Sequence, residues 1–126
     1  MNYIDLMKFF GCEPLEGNFP TFRELIDNKF RQITTQRGVY FVIDEANPTD
    51  PIAYIGMAST SLRSRVKALV MKKDNHKGGS DIWDFPHYDN LQICWKVNKC
   101  ARDYEAEFIS RYKSINSKRP VANRKD

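Results

Sequence analysis

The sequence predicts an α+β domain in which a small three-stranded antiparallel sheet is flanked by helices, with a helical extension at the N-terminus. Two β-prone runs, residues 39–43 and 52–55, lie close together, as the strands of a hairpin do. A third run, residues 91–97, alternates apolar and polar side chains, which is typical of a strand with one buried face. Helical patterns lie before, between and after these runs. Because hairpin strands are antiparallel and helices need a sheet face to cover, this order indicates an α+β fold.

The length of 126 residues suits one domain with one hydrophobic core. We expect residues 1–35 to form a helical extension that packs on a core domain of residues 36–126. Apolar residues make up 41% of the chain, which excludes a disordered protein. No apolar run approaches the roughly 18–20 residues that cross a membrane, and the N-terminus lacks a signal-peptide pattern. We therefore expect no membrane partner.

The N-terminal extension contains two helical patterns. The first covers residues 1–10 and ends at Gly11, and the segment 11–20, with two glycines and two prolines, is predicted to be a loop. Thr21 and Glu24 have the spacing of a capping box, which predicts the start of a second helix. Apolar residues then follow at helical spacing: Phe22, Leu25, Ile26, Phe30 and Ile33.

The middle of the chain is predicted to form a hairpin followed by a helix. The hairpin connector, residues 44–51, is longer than a two-residue turn and is expected to be a surface loop. Ser61 is a residue type preferred at helix N-caps and predicts a helix over residues 62–71. The apolar residues expected to face inward from this helix are Leu62, Val66, Leu69 and Val70.

The C-terminal half is predicted to contain an irregular segment, a strand and a long helix. A polar loop over residues 72–81 leads into an aromatic, irregular segment over 82–88. The strand over 91–97 follows, and a helix is predicted over 102–115, before a basic tail.

Charge is distributed unevenly along the chain. Residues 1–61 contain five basic and eight acidic residues, a net charge of −3, whereas residues 62–126 contain fifteen and eight, a net charge of +7. The basic residues concentrate in segments 63–77 and 111–125. A basic half on a small protein favours a polyanionic partner, most often nucleic acid, although solvated helix faces have the same composition.

The cysteines and histidines do not predict a metal site. Cys12, Cys94 and Cys100 are odd in number and lack the paired spacing of zinc ligands, and His76 and His87 stand apart. We interpret the cysteines as reduced thiols, which favours a cytoplasmic location.

One acidic residue falls on the apolar face of the last predicted helix. Glu105 lies roughly 45° from the centre of that face, whereas Glu107 points into solvent. An inward carboxylate is costly unless it is paired, binds a metal or lines a cleft. A buried Glu–Arg pair and a functional carboxylate are both open at this point. The apolar residues of the face are Tyr104, Phe108, Ile109, Tyr112 and Ile115.

The arginines and tyrosines are ambiguous by local pattern. Arg63 and Arg65 flank the inward face of the helix over 62–71 on opposite sides, where a surface charge is the commoner role. Tyrosines in strands, such as Tyr40 and Tyr54, usually pack with a hydrated hydroxyl. Local pattern alone therefore predicts a basic α+β domain and favours nucleic acid as its partner without assigning a site.

Five short motifs follow one another along the chain, on the first strand, the second strand, the middle helix, the last helix and the tail. They are Gly38-Val39-Tyr40, Tyr54-Ile55-Gly56, Leu62-Arg63-Ser64-Arg65-Val66, Glu105 with Ile109 and Tyr112, and Pro120 with Asn123. In this order they resemble the motifs of the GIY-YIG nuclease family, over about residues 37–123. The resemblance implies a three-stranded antiparallel sheet flanked by helices, in agreement with the fold predicted above. It also implies an endonuclease that hydrolyses DNA phosphodiester bonds with Mg²⁺ or Mn²⁺.

The resemblance implies a set of site residues. Tyr40 and Tyr54 correspond to the tyrosines of the first two motifs, and Arg65 corresponds to the arginine of the helix motif. Glu105 corresponds to the metal-binding glutamate, and Asn123 to the terminal asparagine.

The chain departs from the family pattern at three points. Val39 replaces the isoleucine of the first motif, and Met57 stands where many members have lysine. The spacing between Glu105 and Asn123 is longer than in compact members of the family.

These residues define a hypothesis for the chemistry. Glu105 holds a single Mg²⁺ on the leaving-oxygen side, and Arg65 bridges phosphate oxygens through its planar donor fork. Tyr40 orients the attacking water and accepts its proton; a free phenol has a pKa of about 10, and nearby cations favour the phenolate. Tyr54 hydrogen-bonds the water or the phosphate. We expect these four side chains to line one solvent-open hollow.

The remaining motif and basic residues are expected to contact DNA. Gly38 and Gly56 are expected to leave room for the approaching nucleic-acid backbone. Nucleic-acid contacts are expected from Arg63, Lys67, Lys72, Lys73 and Asn123. Because no sequence-reading module is visible, we expect low sequence specificity on duplex or branched DNA, unless a homo-oligomer or a partner protein supplies it.

Two other functions are open. The first is a non-catalytic DNA-binding module that retains the GIY-YIG fold, although the presence of Tyr40, Arg65 and Glu105 argues against it. The second is a protein-interaction domain whose basic faces bind an acidic partner. It predicts no salt-sensitive binding of DNA.

Overall fold

A computed structural model describes residues 19–47, 52–72 and 81–116. For Asp81, for residues 111–112 and for residues 114–116 it describes the backbone alone. The helix predicted over residues 1–10, the loop before Phe19, Lys73, and the tail with Asn123 lie outside the described residues.

The three predicted strands form one antiparallel sheet, which confirms the α+β fold. Strand β1 covers Gly38–Ile43, β2 covers Ile52–Ala58 and β3 covers Gln92–Val97. Their order across the sheet is β2-β1-β3, so the first strand is central and every one of its residues is buried. Both pairings are antiparallel. Strand β2 extends three residues beyond the predicted end at Ile55.

Three α-helices flank the sheet, and their N-terminal caps agree with the sequence. Helix α1 covers Phe22–Asp27, α2 covers Leu62–Val70 and α3 covers Ala101–Asn116. The capping box of α1 is formed as predicted, with the backbone N–H of its third residue donating to the Thr21 hydroxyl oxygen. The Ser61 hydroxyl likewise accepts a hydrogen bond from a backbone N–H of α2, at 3.2 Å.

Helix α1 is shorter than its apolar spacing predicts. It ends at Asp27, with Asn28 as its C-cap. The next two residues, Lys29 and Phe30, have φ values of 59° and 62° in the left-handed region. The Phe30 N–H donates to the carbonyl of Leu25 at 2.8 Å, so the chain turns back immediately. Phe30 and Ile33 are buried, as their apolar character indicates, but they reach the core from this turn and not from a helix.

The sheet separates two apolar clusters. Helices α1 and α2 cover one face, with Tyr40, Tyr54 and Trp95 from the strands. Helix α3 covers the opposite face and packs against β1 and β2, with Phe108 in edge-to-face contact with Phe41 at 4.9 Å between ring centroids. The described part of the N-terminal extension contributes side chains to the first cluster, so it shares the core of the sheet.

The aromatic segment before β3 closes the C-terminal end of α2. It contains two short 3₁₀ helices, Asp81–Asp84 and Tyr88–Asn90. The Trp83 indole N–H donates to the carbonyl of Leu69 at 2.9 Å, and the Tyr88 hydroxyl donates to the carbonyl of Val70. These donors satisfy carbonyl groups that a helix end leaves without partners in the helix.

Among the described residues, no helix has both the length and the apolar character needed to cross a membrane.

Candidate active site

Two of the helices begin at the same end of the sheet. Gly38, the first residue of β1, pairs with the last residues of β2 and β3, Ala58 and Val97. Helix α2 begins beside this end, because the Leu62 N–H donates to the carbonyl of Gln36 at 2.9 Å. Helix α3 begins there too, a short turn after the end of β3. Residues in the first turns of α2 and α3 are therefore brought to one end of the sheet from its two faces.

The two motif tyrosines lie on the same face of the sheet, as predicted. Tyr40 faces Gly56 in the register of the hairpin, and Tyr54 faces Val42, so the two phenols are diagonal neighbours. Their ring centroids are 6.0 Å apart, and the ring planes are inclined by 46°. The first two motifs therefore place two tyrosine side chains next to each other on one face of the sheet.

The motif glycines make room for the protein's own atoms. A Cβ atom at Gly56 would lie far inside van der Waals contact with the Tyr40 ring and hydroxyl. A Cβ atom at Gly38 would collide with the carbonyl oxygen of Lys96 on the neighbouring strand. The expectation that these glycines leave room for a nucleic-acid backbone is wrong, because both spaces are already filled from within the fold.

The phenols are buried and do not line an open hollow. Tyr40 is 0% exposed and its hydroxyl oxygen is buried, while Tyr54 is 8% exposed. Both belong to the apolar cluster that includes Leu62 and Val66 of helix α2. The expectation that the four side chains line one solvent-open hollow is therefore wrong. Helix α2 packs over the face that carries the two tyrosines, and α3, which carries Glu105, covers the opposite face.

The charge of Arg65 acts on the carboxyl of Glu105, although the helices that carry them cover opposite faces of the sheet. Both side chains are partly buried, Arg65 in the first half of α2 and Glu105 in the second turn of α3. Burial raises the pKa of the Glu105 carboxyl above its ordinary value, and the charges of Arg65 and Arg102 oppose that rise. A carboxylate with a raised pKa beside a guanidinium matches both alternatives left open by the sequence, a Glu–Arg pair and a functional carboxylate.

Arg63 has a structural contact that sequence reasoning missed. Its Nε donates to the carbonyl of Ile33 at 2.8 Å, and its Nη2 donates to the carbonyl of Arg31 at 3.3 Å. The guanidinium therefore holds the turn after α1 against the start of α2. Neighbouring sequence carries no signal for this contact, because the acceptor lies 30 residues away.

The other predicted DNA-contacting residues lie farther along the chain. Lys67 and Lys72 are exposed. The Lys72 ammonium lies 4.8 Å from the centre of the Tyr88 ring, a cation–π geometry. Burial and the nearby Asp89 raise the pKa of the Tyr88 hydroxyl to about 12, so this ring stays neutral beneath the lysine.

Glu105 is the one residue that the motif resemblance assigns as a metal ligand. Among the described residues, no three His, Cys, Asp or Glu side chains gather as a metal site. Mg²⁺ often binds through one or two carboxylates, with water and substrate phosphate completing its shell. The partly buried carboxylate of Glu105 fits such a site, since a divalent cation would offset the cost of burying its charge. In the part of the chain that the structure describes, Cys94 and Cys100 form no disulfide bond.

Comparisons with family models, with curated proteins and with solved structures find no match to this chain. The resemblance to GIY-YIG nucleases therefore rests on the motifs of this sequence.

Proposed function

We propose that this protein is a metal-dependent endonuclease of the GIY-YIG type that hydrolyses DNA phosphodiester bonds. The observation that supports the proposal most is the electrostatic interaction between Arg65 and Glu105, whose helices begin at the same end of the sheet. Phosphodiester hydrolysis is accelerated by a cation beside the phosphoryl oxygens and by a metal ion at the reacting centre. A guanidinium next to a partly buried carboxylate supplies the first of these groups and a ligand for the second.

In this proposal, Glu105 holds the metal ion and Arg65 binds the scissile phosphate. A bound Mg²⁺ or Mn²⁺ supplies Lewis-acid stabilisation of the leaving oxygen. The planar fork of Arg65 donates two parallel hydrogen bonds to phosphate oxygens, a geometry that lysine does not reproduce.

The roles of the phenols depend on access to solvent. Tyr40 orients the attacking water and Tyr54 hydrogen-bonds the water or the phosphate in this mechanism. Because both rings are buried beneath α2, these roles require a shift of α2 or of the strand ends that opens a path to the hydroxyls. The proposal therefore rests mainly on Arg65 and Glu105, and less on the two tyrosines.

The basic C-terminal half supports DNA as the partner. Exposed cations on and after α2, such as Lys67 and Lys72, suit sequence-independent phosphate contacts. The proposal also predicts low sequence specificity, unless a homo-oligomer or a partner protein supplies specificity. It predicts a cytoplasmic location as well.

A plasmid-nicking assay tests the proposed activity. Supercoiled plasmid is incubated with the protein and Mg²⁺ or Mn²⁺, and the nicked form is quantified. We expect Glu105→Gln to lower the nicking rate by at least about 10²-fold, because the metal loses its protein ligand. Arg65→Lys is expected to reduce the rate strongly as well, since the charge is kept and the fork is lost.

Glu107→Gln is the matched control for this assay. Glu107 lies two residues further along α3 and is exposed, so the same chemical change there is expected to leave the rate unchanged. Equal rates for Glu105→Gln and wild type, with nicking present, would remove the carboxylate from the mechanism and refute the proposal.

The burial of Tyr40 favours a second candidate, a DNA-binding module that has lost hydrolysis. This candidate predicts tight, salt-sensitive DNA binding with no nicking under any divalent metal. The remaining alternative, a protein-interaction domain, predicts neither nicking nor salt-sensitive DNA binding.

A further inference from the structure

A second arginine lies beside Glu105, and none of the five motifs contains it. Arg102 is in the first turn of α3, three residues before Glu105, and side chains with this spacing are neighbours on a helix surface. Arg102 is exposed, whereas Ala101 next to it is buried against the fold. The guanidinium of Arg102 therefore projects from the protein surface next to the Glu105 carboxylate.

Two helices bring guanidinium groups to the same carboxylate. Arg65 approaches Glu105 from α2, and Arg102 approaches it from α3 itself; the charges of both stabilise its ionised form. Because α2 and α3 cover opposite faces of the sheet, the two cations reach the carboxylate from different directions. The carboxylate is thus flanked by positive charge on two sides.

The two flanking arginines differ in exposure. Arg65 is partly buried, which suits a group that grips one phosphate within a site. Arg102 is exposed at the rim, which suits a group that contacts a strand as it leaves the site. Asp103, the next residue, is exposed as well, but successive side chains on a helix point about 100° apart, so it faces a different direction.

We infer that Arg102 binds a backbone phosphate of the DNA strand next to the phosphate held at Arg65 and Glu105. The inference rests on the proposed function and deepens it, since it assigns the path of the bound strand. The strand would run from Glu105 toward the first turn of α3. Arg102 is a binding residue and takes no part in the bond-breaking step.

The simplest competing role for Arg102 is a surface ion pair with Glu105 that stabilises α3 alone. In that case its removal changes the stability of the protein slightly and leaves DNA binding unchanged apart from the overall charge. A charge-matched variant elsewhere separates the two roles. Arg23 is exposed on α1 and lies toward the opposite end of the sheet, where Thr21 bridges to Gln92.

The experiment measures the salt dependence of DNA binding by the full chain. Binding of a fluorescein-labelled duplex is followed by anisotropy in EDTA, where no metal-dependent hydrolysis occurs, over a series of salt concentrations. We expect Arg102→Ala to reduce the slope of log affinity against log salt by about one and to weaken binding roughly three- to fivefold. Arg102→Lys is expected to retain the wild-type slope because the positive charge is kept. Arg23→Ala is expected to retain the wild-type slope because Arg23 lies outside the inferred path of the strand.

A nicking assay gives the second readout. Arg102→Ala is expected to raise KM with little change in kcat, as for a residue that binds substrate and transition state equally. Thermal unfolding checks that each variant is folded, and Arg102→Gln replaces the alanine variant if that protein does not fold.

The results separate the inference from the proposed function. If wild type binds and nicks DNA, and Arg102→Ala has the same salt slope and KM as Arg23→Ala, the inference is wrong and the proposed function stands. If wild type neither binds nor nicks DNA, the proposed function is wrong, and the inference about Arg102 is wrong as well. If the salt dependence of DNA binding becomes weaker in Arg102→Ala and stays unchanged in Arg23→Ala, the result supports the inferred path of the DNA strand.

Discussion

Gly56 lies beneath the phenol ring of Tyr40, and the two residues face each other across the pairing of β1 and β2. The glycine of the second motif therefore leaves the space that the tyrosine ring of the first motif occupies. A ring that is fully buried has no free direction in which to retreat from an added methyl group. Gly56 is thus required by packing, whatever the tyrosine does chemically.

We predict that Gly56→Ala lowers the free energy of unfolding by about 1–3 kcal/mol, through overpacking against the Tyr40 ring. Urea denaturation followed by circular dichroism measures the change. Tyr40→Ala removes the ring that the methyl group meets, so Gly56→Ala is expected to cost much less in that background. Equal costs in the two backgrounds would show that the methyl group meets something else.

The sequence predicts which residues form the candidate site better than it predicts their environment. The hairpin motif places Tyr40 and Tyr54 on one face because side chains alternate along a strand, and the structure confirms it. Their burial follows from the docking of α2 over that face, which depends on contacts between segments distant in sequence. Alternation identifies a face of the sheet; it contains no information on what covers that face.

At the scale of the secondary-structure elements, α2 carries two arginines with different tasks. Arg63 donates two hydrogen bonds to the turn after α1, while Arg65 approaches the carboxylate of α3. Ser61 fixes the start of the helix and thereby the direction of both side chains. The helix therefore joins the N-terminal turn to the candidate site.

We predict that Arg63→Ala lowers the free energy of unfolding by about 1–3 kcal/mol, because the partly buried carbonyl of Ile33 loses its donor. Chemical denaturation provides the measurement. Arg65→Ala is the matched control two residues away: we expect a smaller loss of stability and a larger loss of nicking. An Arg63→Ala protein as stable as wild type but defective in DNA binding would instead support the predicted phosphate contact.

Helix starts were predictable and one helix end was not. Thr21 and Ser61 cap their helices through local hydrogen bonds, so short-range sequence is sufficient to locate them. The end of α1 lies at a left-handed turn through Lys29 and Phe30, residue types that rarely adopt that conformation. Apolar spacing cannot distinguish a continuing helix from a turn that returns Phe30 to the core.

At the scale of the whole molecule, Glu105 is a group whose burial opposes stability. Its pKa in the folded protein is raised, first by desolvation, so the folded state binds this proton more tightly than the unfolded state. Stability then decreases as the pH rises from the ordinary value of the carboxyl, 4.5, through the raised value. Above that window the full cost of the buried charge is present.

We predict that Glu105→Gln is more stable than wild type at neutral pH, because the amide carries no charge to desolvate. The difference is expected to shrink as the pH falls through the raised pKa to below 4.5, where wild-type Glu105 is protonated in both states. Thermal unfolding of both proteins across this pH range measures it. If the difference in stability between Glu105→Gln and wild type did not change with pH, the added stability of the variant would not come from removal of the carboxylate charge.

The fold brings Arg65 and Glu105 together although 40 positions and an entire strand separate them in the chain. A ribosome synthesises Arg65 and the hairpin first, and Glu105 emerges only after β3. Under the proposed function, a nascent polypeptide that has not yet added α3 lacks the metal ligand and does not cleave DNA. Cutting would switch on only when synthesis and docking of that helix are complete.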